Sequence, residues 1–464
     1  MRILPPVAPN PEQLPILLDT KPGALLVRGA AGSGKTTTAL MRLKQLCGTW
    51  LSRRRRLGIT DPVRVLVLTY NRTLEGYIAQ LAADQVTADP NLHLEVRTFG
   101  KWATELLPSI SILDHDDQVR LLKPLCRPLA IDTDFLIDEV DYVLGRFPHH
   151  ALGSYIGKRR IGRGAAPRMD TPRRQQLLDD VIDPYMAEKQ KRGVLDWNDI
   201  AVAALSVPAL PWDVVVIDEA QDFSANQVRT VLAHLATDHS ITFVMDAVQR
   251  IYPRFFAWAE VGVKLNDTHT LKVNHRNTKQ IAAFARPLVE GLPMEDDGAL
   301  PDFNATGRDG PLPTVLAGIY SAQIDYMIDH ILEKVDLTKE SVAFLQPRGG
   351  NWFSYLQQAL RRAGVDWVRL TRASTWPGGN ESVALCTLHS AKGLEFDHVF
   401  LPGLNQEVTP HGAEAGDAQL ESLQRLVAMG IGRARTTLML GYKPREQSTL
   451  VSLLKPGTYD LVTL

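Results

Sequence analysis

The stretch that most restricts what this chain can fold into is Gly29-Ala30-Ala31-Gly32-Ser33-Gly34-Lys35-Thr36. It follows the apolar run Ala24-Leu25-Leu26-Val27 and leads into the helix-like Thr37-Thr38-Ala39-Leu40-Met41. A strand, a Gly-rich turn and a helix N-terminus in that order bring backbone N–H groups onto an anion with no Cβ in the way. The spacing predicts a phosphate cradle in which Lys35 reaches the β- and γ-phosphates of a nucleotide and the Thr36 hydroxyl ligates Mg2+.

Length and charge bound the rest. At 464 residues, 45% hydrophobic and 22% charged, the chain reads as globular with room for several compact units. A formal charge of −1 removes overall basicity as an argument for nucleic-acid binding, which would have to rest on local patches. Cys47, Cys126 and Cys386 are isolated and lack metal-ligand spacing, so they read as reduced, packed thiols. The N-terminus lacks the apolar core of a signal peptide and no apolar run approaches membrane-spanning length; the expectation is a cytoplasmic protein without a membrane partner.

Taken in order, Gln13 stands just upstream of the cradle, and its amide has the donor and acceptor that adenine N7 and N6 require. Arg53 to Arg56 read as an exposed turn, with contact to a phosphate backbone as the alternative. Val63 to Thr69 reads as a buried parallel strand delivering Tyr70, Asn71 and Arg72, and Leu92 to Arg97 as another delivering Thr98 and Phe99. In a doubly wound sheet such carboxyl ends line the binding crevice. Residues 104–205 carry helical patterns and read as an insertion, whose basic loop at 157–168 is either a solvated linker or a phosphate contact. Asp213 to Ile217 is again a buried strand, and it ends in Asp218 and Glu219. The first acid can hold Mg2+, and the second can accept a proton from an attacking water. Gln249, after the strand Ile241 to Asp246, can sense a γ-phosphate through that water. A Pro/Gly/Asp-rich stretch at 291–313 reads as a linker to a second α/β unit.

Gln13, Gly29 to Thr36, Asp218 to Asp222, Asp246 to Tyr252, Asn274-His275-Arg276, Thr387 to Phe396 and Arg433-Ala434-Arg435 resemble, in register and over nearly the whole chain, the UvrD/Rep class of superfamily 1 helicases. The resemblance implies an α/β fold of two RecA-like P-loop domains with a mainly helical insertion in the first. Its divisions fall at 1–103 and 206–290 for the first domain, 104–205 for the insertion and 291–464 for the second domain. It implies ATP and Mg2+ in the cleft between the domains, with Lys35, Glu219, Gln249, Arg276 and Arg433 as catalytic groups. Arg276 and Arg433 would reach the γ-phosphate from the far side, while Thr36 and Asp218 would hold the metal. Gln13, Gly29, Ala30, Ala31, Gly32, Ser33, Gly34, Thr37, His275, Gly393 and Glu395 would complete the nucleotide site, with Glu395 near the ribose. Tyr70, Asn71, Arg72, Thr98, Phe99, Tyr252, Thr387 and His389 would lie along a single strand of DNA.

The implied activity is ATP-driven 3′-to-5′ translocation or unwinding, with RNA left open as the strand. A rival reading is a nucleotide-gated ATPase that regulates a protein partner such as a nuclease. The chain departs from the family at several positions. His275 stands where a Tyr stacks on adenine, Thr37 where an Arg is usual, Met245 where a Gly is usual and Arg254 at a Trp position. Phe255, Phe256 and Trp258 just beyond are either a base-stacking platform or core. Gln346 to Ser382 is too short for the second accessory domain that full-length relatives insert there.

Overall fold

The computed structural model describes residues 8–29, 32–69, 75–76, 78–79, 82, 89–161, 163, 167–245, 256–274, 276–292, 307–347, 351–370, 379, 381–412 and 417–464. Ala30, Ala31, Tyr70, Asn71, Arg72, Gln249, Tyr252 and His275, together with Asp246, Arg254 and Phe255, lie outside the described residues.

The front half of the chain contributes β1 (Gly23–Gly29), β2 (Val63–Thr69), β3 (Leu92–Thr98), the short β4 (Ser111–Ile112) and β5 (Val194–Leu195), then β6 (Trp212–Ile217), β7 (Leu235–Met245) and β8 (Leu265–Leu271). Six of these form a parallel sheet in the order β3-β2-β6-β7-β1-β8. The order follows from side-chain character. Every residue of β6 is buried, so this strand sits inside the sheet with both faces covered. On one face Leu40 and Leu43 of the helix Lys35–Leu57 pack over Val65, Val67, Val214 and Val216. On the other, Phe99, Trp102, Ile200 and Phe223 cover Leu66, Val215 and Phe243. β8 was not foreseen. Its Leu-Asn-Asp-Thr-His-Thr-Leu sequence is mostly polar because it is an edge strand, pairing among the described residues with β1 alone and facing solvent along much of its length.

The rear half builds a seven-stranded parallel sheet from β9 (Thr314–Ala317), β10 (Val342–Gln346), β11 (Trp367–Arg369), β12 (Val383–Thr387), β13 (Phe396–Leu401), β14 (Ala434–Tyr442) and β15 (Asp460–Thr463), in the order β11-β12-β10-β13-β14-β9-β15. The two sheets with their flanking helices are two RecA-like α/β domains, the fold class expected from the sequence. The helix Lys279–Val289, which precedes the expected division at 290, buries Ile281, Phe284 and Leu288 against Leu345, Val399 and Leu440 of the rear sheet.

Between β4 and β5, whose pairing forms a neck, the helices His115–Cys126, Thr133–Arg146 and Asp183–Arg192 enclose a separate core containing Leu122, Phe135, Val140, Leu144, Tyr155, Val181 and Tyr185. The helices just outside the neck, Phe99–Leu106 and Trp197–Ala204, turn their apolar sides to the front sheet instead. Basic residues of the 157–168 loop serve this insertion. Arg160 Nε lies 2.7 Å and Arg163 Nε 2.8 Å from the buried carboxylate of Glu139. Burial by itself would raise Glu139, but Arg163 and Arg160 hold it down to about 2. These two guanidiniums are therefore committed to a buried acid, not to a phosphate backbone. The Arg53 to Arg56 run is likewise anchored: Arg53 pairs with Asp238, Arg54 with Asp213 at 2.7 Å and Arg55 with Asp89 at 2.7 Å.

Cys47, Cys126 and Cys386 are buried and unbridged, and burial pushes the Cys47 thiol up to about 12. Among the described residues no helix is long and apolar enough to cross a membrane.

Candidate active site

β1, which lies between β7 and the edge strand β8, ends at Gly29, and the helix Lys35–Leu57 begins six residues later. The glycines between them are set by space and backbone. A Cβ on Gly29 would stand 2.5 Å from Ser33 Oγ and 2.8 Å from the Leu271 carbonyl oxygen. Gly32 and Gly34 have φ of +77° and +78°, the left-handed region that side chains avoid. A Cβ on Gly32 would also lie 2.3 Å from Asn274 Oδ1. The result is a bare backbone concavity at a helix N-terminus. Ser33 Oγ is buried in it with no hydrogen-bond partner among the described residues.

Gln13 is buried beside this turn. Its Nε2 donates to Thr38 Oγ1 at 2.8 Å, and its Oε1 accepts from the Asn10 N–H at 2.9 Å. Thr38 Oγ1 in turn donates to the Gly34 carbonyl at 2.8 Å. The amide is thereby fixed in orientation with one donor and one lone pair of its inventory left over. Thr37 is half-buried on the same helix.

The sheet order brings β6 close to β1, so the acids at its end face the cradle. Thr36 Oγ1 donates to Asp218, 3.1 Å from each carboxylate oxygen. Burial and the neighbouring Glu219 charge push Asp218 up to about 7, against the Thr36 hydrogen bond and the Lys35 charge. A hydroxyl and a carboxylate converging beside the phosphate cradle fit Mg2+, which takes few protein ligands and completes its shell with water and phosphate. Glu219 has a left-handed backbone, φ +54°, unusual for a residue with a side chain. Gln221 Nε2 donates to its Oε2. Burial would raise Glu219, but Lys392, Arg433 and Lys35 together hold it below the usual carboxylate range.

Two of those three cations come from the rear domain. Arg433 is 2% exposed, its Nε donating to the Met429 carbonyl at 3.2 Å and its Nη1 to the Leu394 carbonyl at 3.3 Å. Arg276 was expected to reach in from the far side, although the division at 290 puts it in the first domain, and the structure agrees with the division. β8 pairs with β1, so the chain leaving it emerges beside Gly32, and the Arg276 backbone stands on the front domain. Only its guanidinium crosses, donating to the Gly432 carbonyl at 3.2 Å and pairing with Glu395. Its buried Nε has no hydrogen-bond partner among the described residues. Glu395, which burial would raise, is held low by Arg276, Arg433 and Arg435. Asn277 adds Nδ2 hydrogen bonds to the Gly432 and Ala434 carbonyls at 3.2 and 2.5 Å, fastening the two domains together.

The expected nucleic-acid residues divide. Phe99 is a correction: it is 3% exposed and edge-on to Trp102 and Phe223 at 5.8 and 6.0 Å, a core ring, because the helix it begins covers the sheet. Thr98 is the cap of that helix, accepting from the Lys101 N–H at 3.3 Å. Phe256 and Trp258 are partly buried against the front core, Trp258 packing 4.6 Å from Phe243, so they stand as core. Thr387 is the last residue of β12, half-buried and bonded to Ser390, and His389 lies exposed in the turn that follows. Gly393, with φ +82°, closes that turn. Lys392 in the same turn went unassigned from sequence, although a Lys beside a turn Gly at a strand end is the signal that could have marked it.

Residues 10–270 match the family model described as the UvrD/REP helicase N-terminal domain, and residues 356–445 match the UvrD-like helicase C-terminal domain. Over 77 residues the chain is 47% identical to an ATP-dependent DNA helicase PcrA of Bacillus subtilis (strain 168), covering 16% of this chain and 10% of that protein. Over 90 residues it is 40% identical to DNA helicase II of Escherichia coli (strain K12), covering 19% of this chain and 11% of that protein. These matches therefore span about a tenth of those relatives' lengths. A longer match, at 23% identity over 583 aligned positions, runs to an ATP-dependent DNA helicase UvrD2 of Mycobacterium bovis (strain ATCC BAA-935 / AF2122/97) and covers 94% of this chain and 80% of that protein.

Proposed function

The chain belongs to the UvrD/REP helicase family, and from that premise we propose that it is an ATP-hydrolysing motor that moves 3′-to-5′ along single-stranded DNA. The observation that carries the reading is the convergence of charge on Glu219: Lys35 from the front domain, Lys392 and Arg433 from the rear. Phosphoryl transfer needs positive charge where negative charge develops, and cations drawn from two domains supply it only when the cleft is closed. The cradle of Gly29 to Lys35 binds the phosphates of ATP. Glu219 accepts the proton of the attacking water, and Arg276 and Arg433 stabilise the equatorial oxygens of the transferred group. Thr36 and Asp218 are the residues that would hold Mg2+, which when bound neutralises charge on the β- and γ-phosphates. The polarity of movement rests on the family resemblance. Unwinding is the weaker part of the activity, because β10 ends at Gln346 and β12 begins at Val383, which leaves too little chain for a second accessory domain.

Stopped-flow translocation on end-labelled oligonucleotides tests the reading. The time to reach the end should grow linearly with strand length when the label sits at the 5′ end and stay constant when it sits at the 3′ end. ATP hydrolysis with no length dependence from either end would favour a nucleotide-gated regulator of a partner such as a nuclease. Stronger stimulation of hydrolysis by RNA than by DNA would reassign the strand.

A further inference from the structure

Lys392 belongs to the rear domain, yet its ammonium is buried among acids of the front one. It is 1% exposed, with Nζ 2.5 Å from Asp222 Oδ2 and 3.6 Å from Glu219 Oε2. Both acids follow β6, and Asp222 is fully buried. The segment that carries Lys392 is tightly cross-bonded. The Leu388 N–H donates to the Gln346 carbonyl at 2.8 Å, the Ala391 N–H to the Thr387 carbonyl at 3.0 Å and the Lys392 N–H to the His389 carbonyl at 3.3 Å. Ser390 N–H donates to Thr387 Oγ1 at 3.2 Å. A turn braced in this way moves as one piece. Its first half carries the exposed His389, and its far end carries the ammonium beside Glu219.

We infer that Lys392 is a positioning residue that sets the Glu219 carboxylate from the opposite domain, so that proton abstraction depends on how the 387–392 turn is seated. The inference rests on the assignment of Glu219 as general base and of Thr387 and His389 to the nucleic-acid side. With the domains apart, Lys392 would leave both acids, and of the hydrogen bonds described Glu219 would keep the one from Gln221. With them together, the ammonium fixes the base and places positive charge next to it in a dry site, where its orienting effect is strongest. A strand held at His389 would thus be felt at Glu219 through the four residues from His389 to Lys392.

The experiment uses the full chain carrying Lys392→Gln, Lys392→Arg, or Asp222→Asn together with Lys392→Gln. The double variant removes both buried charges and leaves no uncompensated one to unfold the protein. Steady-state ATP hydrolysis is measured with and without saturating oligo(dT), beside binding of a fluorescent ATP analogue and thermal melting. Lys392→Gln and the double variant should lower the DNA-stimulated kcat about 10- to 100-fold while KM for ATP moves less than about threefold, and the ratio of stimulated to basal rate should fall toward one. Lys392→Arg should recover most of the loss. A folded double variant with wild-type kcat and wild-type stimulation would overturn the inference, since an ion pair that only holds the domains together would shift melting alone. Inactive wild-type protein, or a Glu219→Gln variant that turns over normally, would instead remove the general-base reading beneath it.

Discussion

Glu219→Gln is expected to bind ATP within about threefold of wild type and to hydrolyse it about 10²- to 10⁴-fold more slowly. The substitution keeps the volume and the hydrogen bond available to Gln221 but removes the proton acceptor. Because Glu219 stands outside the cradle itself, little ground-state binding should go with it. Its left-handed backbone is a strained conformation, and such strain is tolerated where the surrounding structure over-determines a functional geometry. Single-turnover hydrolysis and equilibrium binding measured on one preparation separate the two effects. A variant that hydrolysed at the wild-type rate would show that the base lies elsewhere.

Lys35→Ala should behave differently, losing binding and turnover together. Its ammonium stands at the start of the helix that closes the cradle, where it serves ground state and transition state alike. A fall in kcat/KM of about 10³-fold or more is expected, with ATP affinity weakened as well. The electrostatics add a second consequence. Lys35 is among the charges that oppose the raised Asp218 carboxyl, so its removal leaves the Thr36 and Asp218 pair with less positive charge nearby. Binding of the fluorescent ATP analogue across a Mg2+ titration reads both effects.

What the sequence revealed was what local chemistry encodes. The cradle was legible because its Gly, Lys and Thr stand within a few residues of one another between a strand and a helix. β2 and β6 were legible because a strand buried on both faces must be a continuous apolar run. The insertion was legible from its change of periodicity. Features that depend on partners distant in the chain were not. β8 hid because an edge strand can be polar, and with it went the closeness of Arg276 to Gly32, which only the β1–β8 pairing sets. Phe99 follows a strand end, as a binding residue would, but the helix it begins turns it into the core. Arg160 and Arg163 read as part of a solvated linker or a phosphate contact because their acid, Glu139, lies some twenty residues upstream on the helix Thr133–Arg146. Lys392 and Glu219 meet only when both domains are in place.

The central claim is that cations of the rear domain complete a site whose phosphates are held by the front one. Hydrolysis by Arg433→Gln, compared with its binding of the fluorescent ATP analogue, tests that claim most directly. The account predicts binding within about threefold of wild type and a kcat lower by about 10³-fold or more, with melting showing the fold intact. A folded Arg433→Gln protein that hydrolysed ATP within twofold of the wild-type rate would contradict it.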